Sequence, residues 1–118
     1  MAVCLIDCAD LARVARLRAR NHPSYTDARI WDFVLFAAWQ RLHHADPQWM
    51  PEVILDHWPE MVWERWRSWL PEDPRWSVPV FDTSGEPIAA SASRVARWIR
   101  EQNDARDRGE LMLRRGNW

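Results

Sequence analysis

The sequence predicts a mainly α-helical single domain over residues 1–118, a bundle of four or five helices, and leaves open one short two-stranded β element near the C-terminus. Two observations predict this class. Apolar residues recur at helical spacing over most of the chain. Only three residues are glycine, so few positions suit the turns of an all-β protein. A chain of 118 residues can bury a core as one domain without disulfides.

Residues 7–20 (DCADLARVARLRAR) are predicted as the first helix. Asp7 would cap its start, and the arginines near its end suit the helix dipole. Cys4 and Cys8 would share one helix face as free thiols, which is typical of a protein from a reducing cytoplasm. The predicted inward-facing stripe consists of Leu11, Val14, Ala15 and Leu17.

Residues 25–44 are predicted as the central helix. Ser24 would be its N-cap, with Asp27 three residues later in a pattern similar to a capping box. Residues 33–39 (FVLFAAW) are seven apolar residues in succession. A helix that is apolar almost all round belongs in the centre of a domain.

The middle of the chain is predicted to add a short helix or turn at 51–57 and an amphipathic, tryptophan-rich helix at 59–70. Pro59 suits the first position of that helix, and the prolines at 71 and 74 close the segment. The predicted core brings this helix against its neighbours through Leu35, Trp39, Leu42, Val62, Trp66, Val95 and Ile99.

The C-terminal third is predicted to begin with an extended segment at 75–87, since Pro79 restricts any strand there to a sheet edge. Residues 89–105 are predicted as a helix. The tail at 109–118 is predicted to pair as a strand with 77–81, with a final helical turn as the alternative.

Composition separates the chain into three parts. There are ten tryptophans, and all sixteen basic residues are arginine. Residues 1–43 carry six arginines against four acids, residues 44–87 three against nine, and residues 88–118 seven against four. The net charge of −1 therefore hides an acidic, tryptophan-rich middle between basic ends.

The leading functional prediction is a small non-enzymatic protein that binds a protein partner, of the adaptor, immunity or inhibitor type that phages and mobile elements encode. Tryptophan and arginine are the residue types enriched in the energetic centres of protein interfaces. The predicted partner-binding residues are Trp58, Trp63, Arg67 and Trp76.

The alternative prediction is a DNA- or RNA-binding protein. The segment ASASRVARWIRE resembles the recognition helix of a helix-turn-helix in pattern, although GEPIAA is too short to supply the helix before it. Arg13, Arg16 and Arg20 could add a second basic stripe if both lay on one surface. The predicted nucleic-acid-binding residues are Arg94, Arg97, Arg100, Arg114 and Arg115.

Neither an enzyme nor a bound cofactor is predicted, because the sequence has no nucleophile elbow and no glycine-rich phosphate loop. His43, His44, Asp46 and His57 are of metal-ligating types, but adjacent histidines on a helix diverge, so no metal site is predicted. A metal-dependent enzyme at these four residues is the third hypothesis, after the protein-binding and nucleic-acid-binding ones. No signal peptide or membrane span is predicted, which favours a cytoplasmic location. The identity of a partner and the oligomeric state stay open.

Overall fold

The computed structural model describes residues 2–50 and 68–111. These ranges contain two strands and three helices, in the order β1 (Leu5–Asp7), α1 (Asp10–Ala19), α2 (Asp27–Ala45), β2 (Val80–Asp82) and α3 (Ile88–Asp107). The predicted bundle of four or five helices is therefore wrong, because the described part of the chain combines three helices with a small parallel sheet.

The sheet consists of β1 and β2, paired in parallel with Leu5 opposite Val80 and Asp7 opposite Asp82. Its outermost backbone bonds run from Leu5 N to the Pro79 carbonyl and from Thr83 N to the Asp7 carbonyl, each 2.9 Å. The sequence paired its C-terminal strand with the tail instead. Among the described residues β2 pairs with the N-terminal strand, and its pairing with the tail stays a prediction. Residues 112–118 lie outside the described residues. The observed pairing joins distant segments, so no local pattern predicts it.

The two cysteines flank β1 instead of sharing a helix face. Cys8 is buried and Cys4 is half-buried, and both are free thiols. Burial raises the pKa of the Cys4 thiol. The predicted helix start at residue 7 is thus three residues early, because residues 5–7 extend into the sheet.

Helix α1 is rotated relative to the prediction. It begins at Asp10 with Ala9 as an N-cap that supplies no side-chain hydrogen bond. Of the predicted inner stripe, Leu17 is buried but Leu11 is 85% exposed. The carboxylate of Asp7, the predicted cap, instead accepts a hydrogen bond from Arg13 at 2.6 Å. Polar bonds to the strand ends therefore turn the arginine side of α1 inward.

Helix α2 is capped by Thr26, whose hydroxyl accepts from the Arg29 amide at 3.2 Å, and not by Ser24. The buried residues of this helix are limited to Ile30, Ala37 and His43. Several residues of the predicted core are therefore exposed, namely Leu35 at 50%, Leu42 at 51% and, on α3, Ile99 at 47%. Val62 and Trp66 of that core lie outside the described residues.

Helix α3 confirms the predicted helix at 89–105 to within two residues at either end. Trp98 packs edge-on against Phe81 of β2, with ring centroids 5.9 Å apart. The predicted segment at 51–57 and most of the predicted helix at 59–70 lie outside the described residues. Within the two described ranges, no helix combines the length and apolar character that crossing a membrane requires.

Candidate anion-binding groove

The carboxyl ends of the two strands are tied together by the loops that follow them. The Thr83 hydroxyl donates to the Asp7 carbonyl at 3.0 Å. The Ala9 amide donates to the Ser84 hydroxyl at 2.7 Å. Helices α1 and α3 begin just after these loops. Ligands of parallel sheets bind outside the carboxyl ends of the strands, so this edge is the first place to look for a site.

Two arginines of α1 contact this edge, and the C-cap arginine of the helix continues their row. Arg13, Arg16 and Arg20 are three and four residues apart, which keeps them on one side of a helix. Arg16 donates through Nη1 to the Thr83 hydroxyl at 2.9 Å and through Nη2 to the Thr83 carbonyl. Arg20 is exposed and makes no hydrogen bond or ion pair with the described residues. Two of the three guanidinium groups are thus fixed while the third is free to reach a ligand.

Two adjoining concavities, of about 340 and 520 Å³, meet at this arginine row. We call them together the arginine groove. Both are lined by Ile6, Arg16, Arg20 and Thr83. The smaller is completed by Asp7, Cys8, Arg13, Leu17, Tyr25 and Phe33. The larger is completed by the α3 face, which contributes Ile88, Ser91, Ala92, Val95, Ala96 and Ile99.

The groove carries an excess of positive charge. Among the described residues that line it, Asp7 is the one carboxylate, against three arginines. Asp7 is shared between Arg13 and Arg41. Neither Arg16 nor Arg20 forms an ion pair with a described carboxylate. Asp82 is nearby: hydrogen bonds from Ser84 lower its pKa, and the charges of Arg94 and Arg16 lower it further.

The arginines predicted on α3 are not brought into the groove as a set. Arg94 is 2.5 Å from Glu86, donates to the Asp82 carbonyl at 2.6 Å and lies over the Phe81 ring. Arg97 and Arg100 are exposed. At about 100° per residue, Arg94 and Arg100 lie about 120° apart around the helix. Arg114 and Arg115 lie outside the described residues, so nucleic-acid binding by these five stays a prediction.

Trp76, a predicted partner-binding residue, is half-buried in an aromatic cluster. Its Nε1 donates to the His44 carbonyl at 2.8 Å. Its ring meets those of His43 and Trp69 edge-on, at centroid distances of 5.3 and 6.3 Å. Trp58, Trp63 and Arg67 lie outside the described residues, and partner binding by the four stays a prediction.

The histidine cluster at the end of α2 is held by backbone contacts. His43 is buried with Nδ1 3.2 Å from the Trp49 carbonyl, and burial lowers its pKa despite that contact. His44 Nε2 lies 2.6 Å from the Val78 carbonyl, and Asp46 accepts from the Gln48 amide. His57 lies outside the described residues. Across residues 2–50 and 68–111, no three histidines, cysteines or acids are placed to hold a metal ion.

Sequence reasoning identified the α1 arginines as a basic stripe but missed the residues opposite them, chiefly Tyr25, Thr83 and the α3 face. A signal was present. Two short apolar runs, LID and VFD, each end in aspartate and are each followed by a loop and a helix. Such repeated strand–loop–helix order favours parallel strands whose carboxyl ends meet.

Comparison of the sequence and structure with protein families, with curated proteins and with solved structures finds no match.

Proposed function

We propose that the arginine groove binds a ligand through its phosphate groups, and that these belong to a nucleic acid strand or a nucleotide. The observation that carries the proposal is the placement of Arg13, Arg16 and Arg20 in one groove with a single carboxylate. It keeps the predicted nucleic-acid function but assigns it to what the sequence offered as a second basic stripe, in place of the arginines of α3 and the tail.

Phosphate is the anion that this donor set suits best. A guanidinium presents a planar fork of N–H donors that matches two phosphate oxygens. Arg20 is unengaged among the described residues, and Arg16 uses neutral oxygens of Thr83 as its acceptors. A phosphate would therefore bring a compensating charge without breaking an existing ion pair.

The walls of the groove favour a ligand larger than inorganic phosphate. One concavity extends to the rings of Tyr25 and Phe33, and the other to the aliphatic α3 face. Ile88 there is 84% exposed. A nucleobase offers a flat, weakly hydrated surface to such a wall, and single strands bind by combining phosphate contacts with base stacking. The volumes lie within the roughly 300–1,000 Å³ of small-molecule sites.

The test is direct binding by fluorescence anisotropy. The probes are a labelled single strand of about 20 nucleotides, the matching duplex and a fluorescent nucleoside triphosphate, at about 50 and 200 mM salt. At least one probe should bind at low salt and weaken steeply at high salt. Binding of the strands alone identifies a nucleic-acid protein, and binding of the triphosphate alone a nucleotide-binding protein. No binding of any probe at low salt overturns the proposal.

Arg18 supplies a matched control. It lies on the same helix, is 62% exposed and pairs with Asp27 away from the groove. Arg20→Gln should weaken binding about tenfold, as the loss of one charge-assisted hydrogen bond does. Arg18→Gln removes the same net charge and should change binding less than about twofold. Equal losses in both variants would mean that diffuse charge, and not the groove, holds the ligand.

Binding of a protein partner is the second candidate, favoured by a different observation. On α2, Trp31, Leu35 and Leu42 are 60%, 50% and 51% exposed. With Ala38 they follow a 4–3–4 spacing, which is the seam along which like helices pack in coiled coils. The partner that fits this seam best is therefore a second copy of the chain.

Sedimentation equilibrium tests the second candidate. The wild-type chain should form a dimer, and Leu35→Glu with Leu42→Glu should be a folded monomer by circular dichroism, with a melting temperature that does not depend on protein concentration. Leu11→Glu is the control, because Leu11 is 85% exposed on α1 and lies outside the seam. A wild-type chain that stays monomeric at about 100 μM would remove this candidate, since a useful dimer should form at micromolar Kd.

A further inference from the structure

Arg41 of α2 does not line the arginine groove but contacts the carboxylate that does. Its Nη1 lies 3.3 and 3.4 Å from the two carboxylate oxygens of Asp7. Its Nη2 donates to both oxygens of Asp10, at 2.9 and 3.0 Å. The Asp7 side chain is only 14% exposed, so water screens its charge weakly.

The charges around Arg41 balance. Asp7 and Asp10 contribute two negative charges, and Arg13 and Arg41 two positive charges. The positive excess of the residues that line the groove is therefore the charge of Arg16 and Arg20, part of which the nearby Asp82 offsets. Removal of Arg41 would leave one negative charge uncompensated, on a pair of carboxylates of which Asp7 forms part of the groove wall.

We infer that Arg41 is a positioning residue that sets the phosphate affinity of the groove by neutralising Asp7 and Asp10. The inference rests on the proposed function and deepens it. Because Arg41 pairs with Asp7 and Asp10, Arg13 does not have to neutralise both carboxylates alone. The groove therefore keeps its net positive charge, although Arg41 touches no ligand.

A purely structural role makes different predictions. Arg41 also joins α2 to the end of β1 and the start of α1, so it could act as a geometric clamp. A clamp needs the two-pronged guanidinium, so Arg41→Lys would lose as much ligand affinity as Arg41→Met does. Loss of a clamp would also not be repaired by removing the charge of Asp10. Charge neutralisation predicts the reverse in both cases.

The experiment titrates the fluorescent nucleoside triphosphate and the labelled single strand into four variants, each checked by circular dichroism. We expect about tenfold weaker binding for Arg41→Met and less than about threefold for Arg41→Lys. Arg41→Met combined with Asp10→Asn should return to within about threefold of the wild type. Arg18→Met removes a charge elsewhere and should leave the affinity unchanged.

The outcomes separate the two proposals. Wild-type affinity in Arg41→Met, with Arg20→Gln still impaired, overturns this inference and leaves the proposed function standing. If Arg41→Lys binds as weakly as Arg41→Met, and Asp10→Asn does not restore the affinity of Arg41→Met, the inference is also overturned, in favour of the clamp. No probe binding by the wild-type chain overturns both proposals. If Arg41→Met does not fold, Asp10→Asn alone decides, because neutralisation predicts that it binds severalfold more tightly than the wild type.

Discussion

Helices α1 and α3 carry the same kind of residue at similar spacing, yet the structure treats their arginines differently. On α1, Arg13, Arg16 and Arg20 all line one groove. On α3, Arg94 is held by Glu86 and Phe81 while Arg97 and Arg100 are exposed elsewhere. Steps of three and then four residues return to one helix face, whereas two steps of three drift by about 120°.

An arginine is available to a ligand only where its spacing along the helix and the acidic residues near it both allow it. Arg94 lies beside the groove but its charge is already matched by Glu86 at 2.5 Å. The three guanidinium groups of the α1 row share one lining carboxylate, that of Asp7. Arg41 also forms an ion pair with Asp7. The abundance of arginine in the sequence does not distinguish these cases.

Removal of the Asp7 carboxylate should have the largest effect on stability, because two arginines, Arg13 and Arg41, lose their shared partner. Asp7→Asn leaves Arg13 and Arg41 facing each other across a part-buried amide. We expect a loss of about 2–3 kcal/mol in the free energy of unfolding, measured by urea denaturation. Asp27→Asn is the control, since that ion pair is exposed and should contribute less than about 1 kcal/mol. Equal losses would contradict the central role of Asp7.

Two double variants test whether the arginines of the α1 row bind the ligand and those of α3 do not. Arg16→Gln with Arg20→Gln should weaken phosphate-ligand binding about 100-fold, as the loss of two charge-assisted contacts does. Arg97→Gln with Arg100→Gln removes the same charge from α3 and should weaken binding less than about threefold. Anisotropy titrations at one salt concentration measure both. A larger loss for the α3 pair would relocate the binding surface to that helix.

Arg94 should matter for stability and not for binding. Its side chain is 38% exposed, and it joins α3 to Glu86 and to the end of β2. Arg94→Gln should cost about 1 kcal/mol of unfolding free energy, while the exposed Arg97→Gln should cost close to none. Chemical denaturation gives both values. A strong loss of ligand affinity in Arg94→Gln would show that the ion pair with Glu86 leaves Arg94 able to bind the ligand.

Acid should remove the contribution of Glu86, the smallest of these effects. Hydrogen bonding from Ser91, and then from Arg94, lowers the pKa of Glu86. A carboxyl whose pKa is lower in the folded state stabilises the protein above its unfolded pKa of about 4.3 and loses this contribution as the pH falls. The difference in melting temperature between wild type and Glu86→Gln should therefore shrink from pH 7 to pH 3. Glu101→Gln, exposed on α3, is the control for the loss of one carboxylate from the same helix.

The patterns of apolar and polar residues along the chain predicted the helices, whose formation depends on neighbouring residues. The α3 helix and the bulk of α1 and α2 follow from apolar spacing and terminal polar residues. The cap of α2 was misplaced by two residues, because Ser24 and Thr26 both offer a hydroxyl and only the backbone path selects Thr26. Leu11 was predicted to face inward and is 85% exposed, because apolar spacing does not count polar bonds such as that of Arg16 to Thr83.

The three described helices and the arginine row along α1 follow from local sequence, since each depends on residues within a few turns of one another. The tertiary structure decided that residues 5–7 pair with residues 80–82, and through that pairing which side chains face the row. Strand pairing is a contact between distant segments whose free energy depends on everything packed around it. Only with that pairing do Thr83 and Ile88 come to line the groove and Arg41 come to contact Asp7.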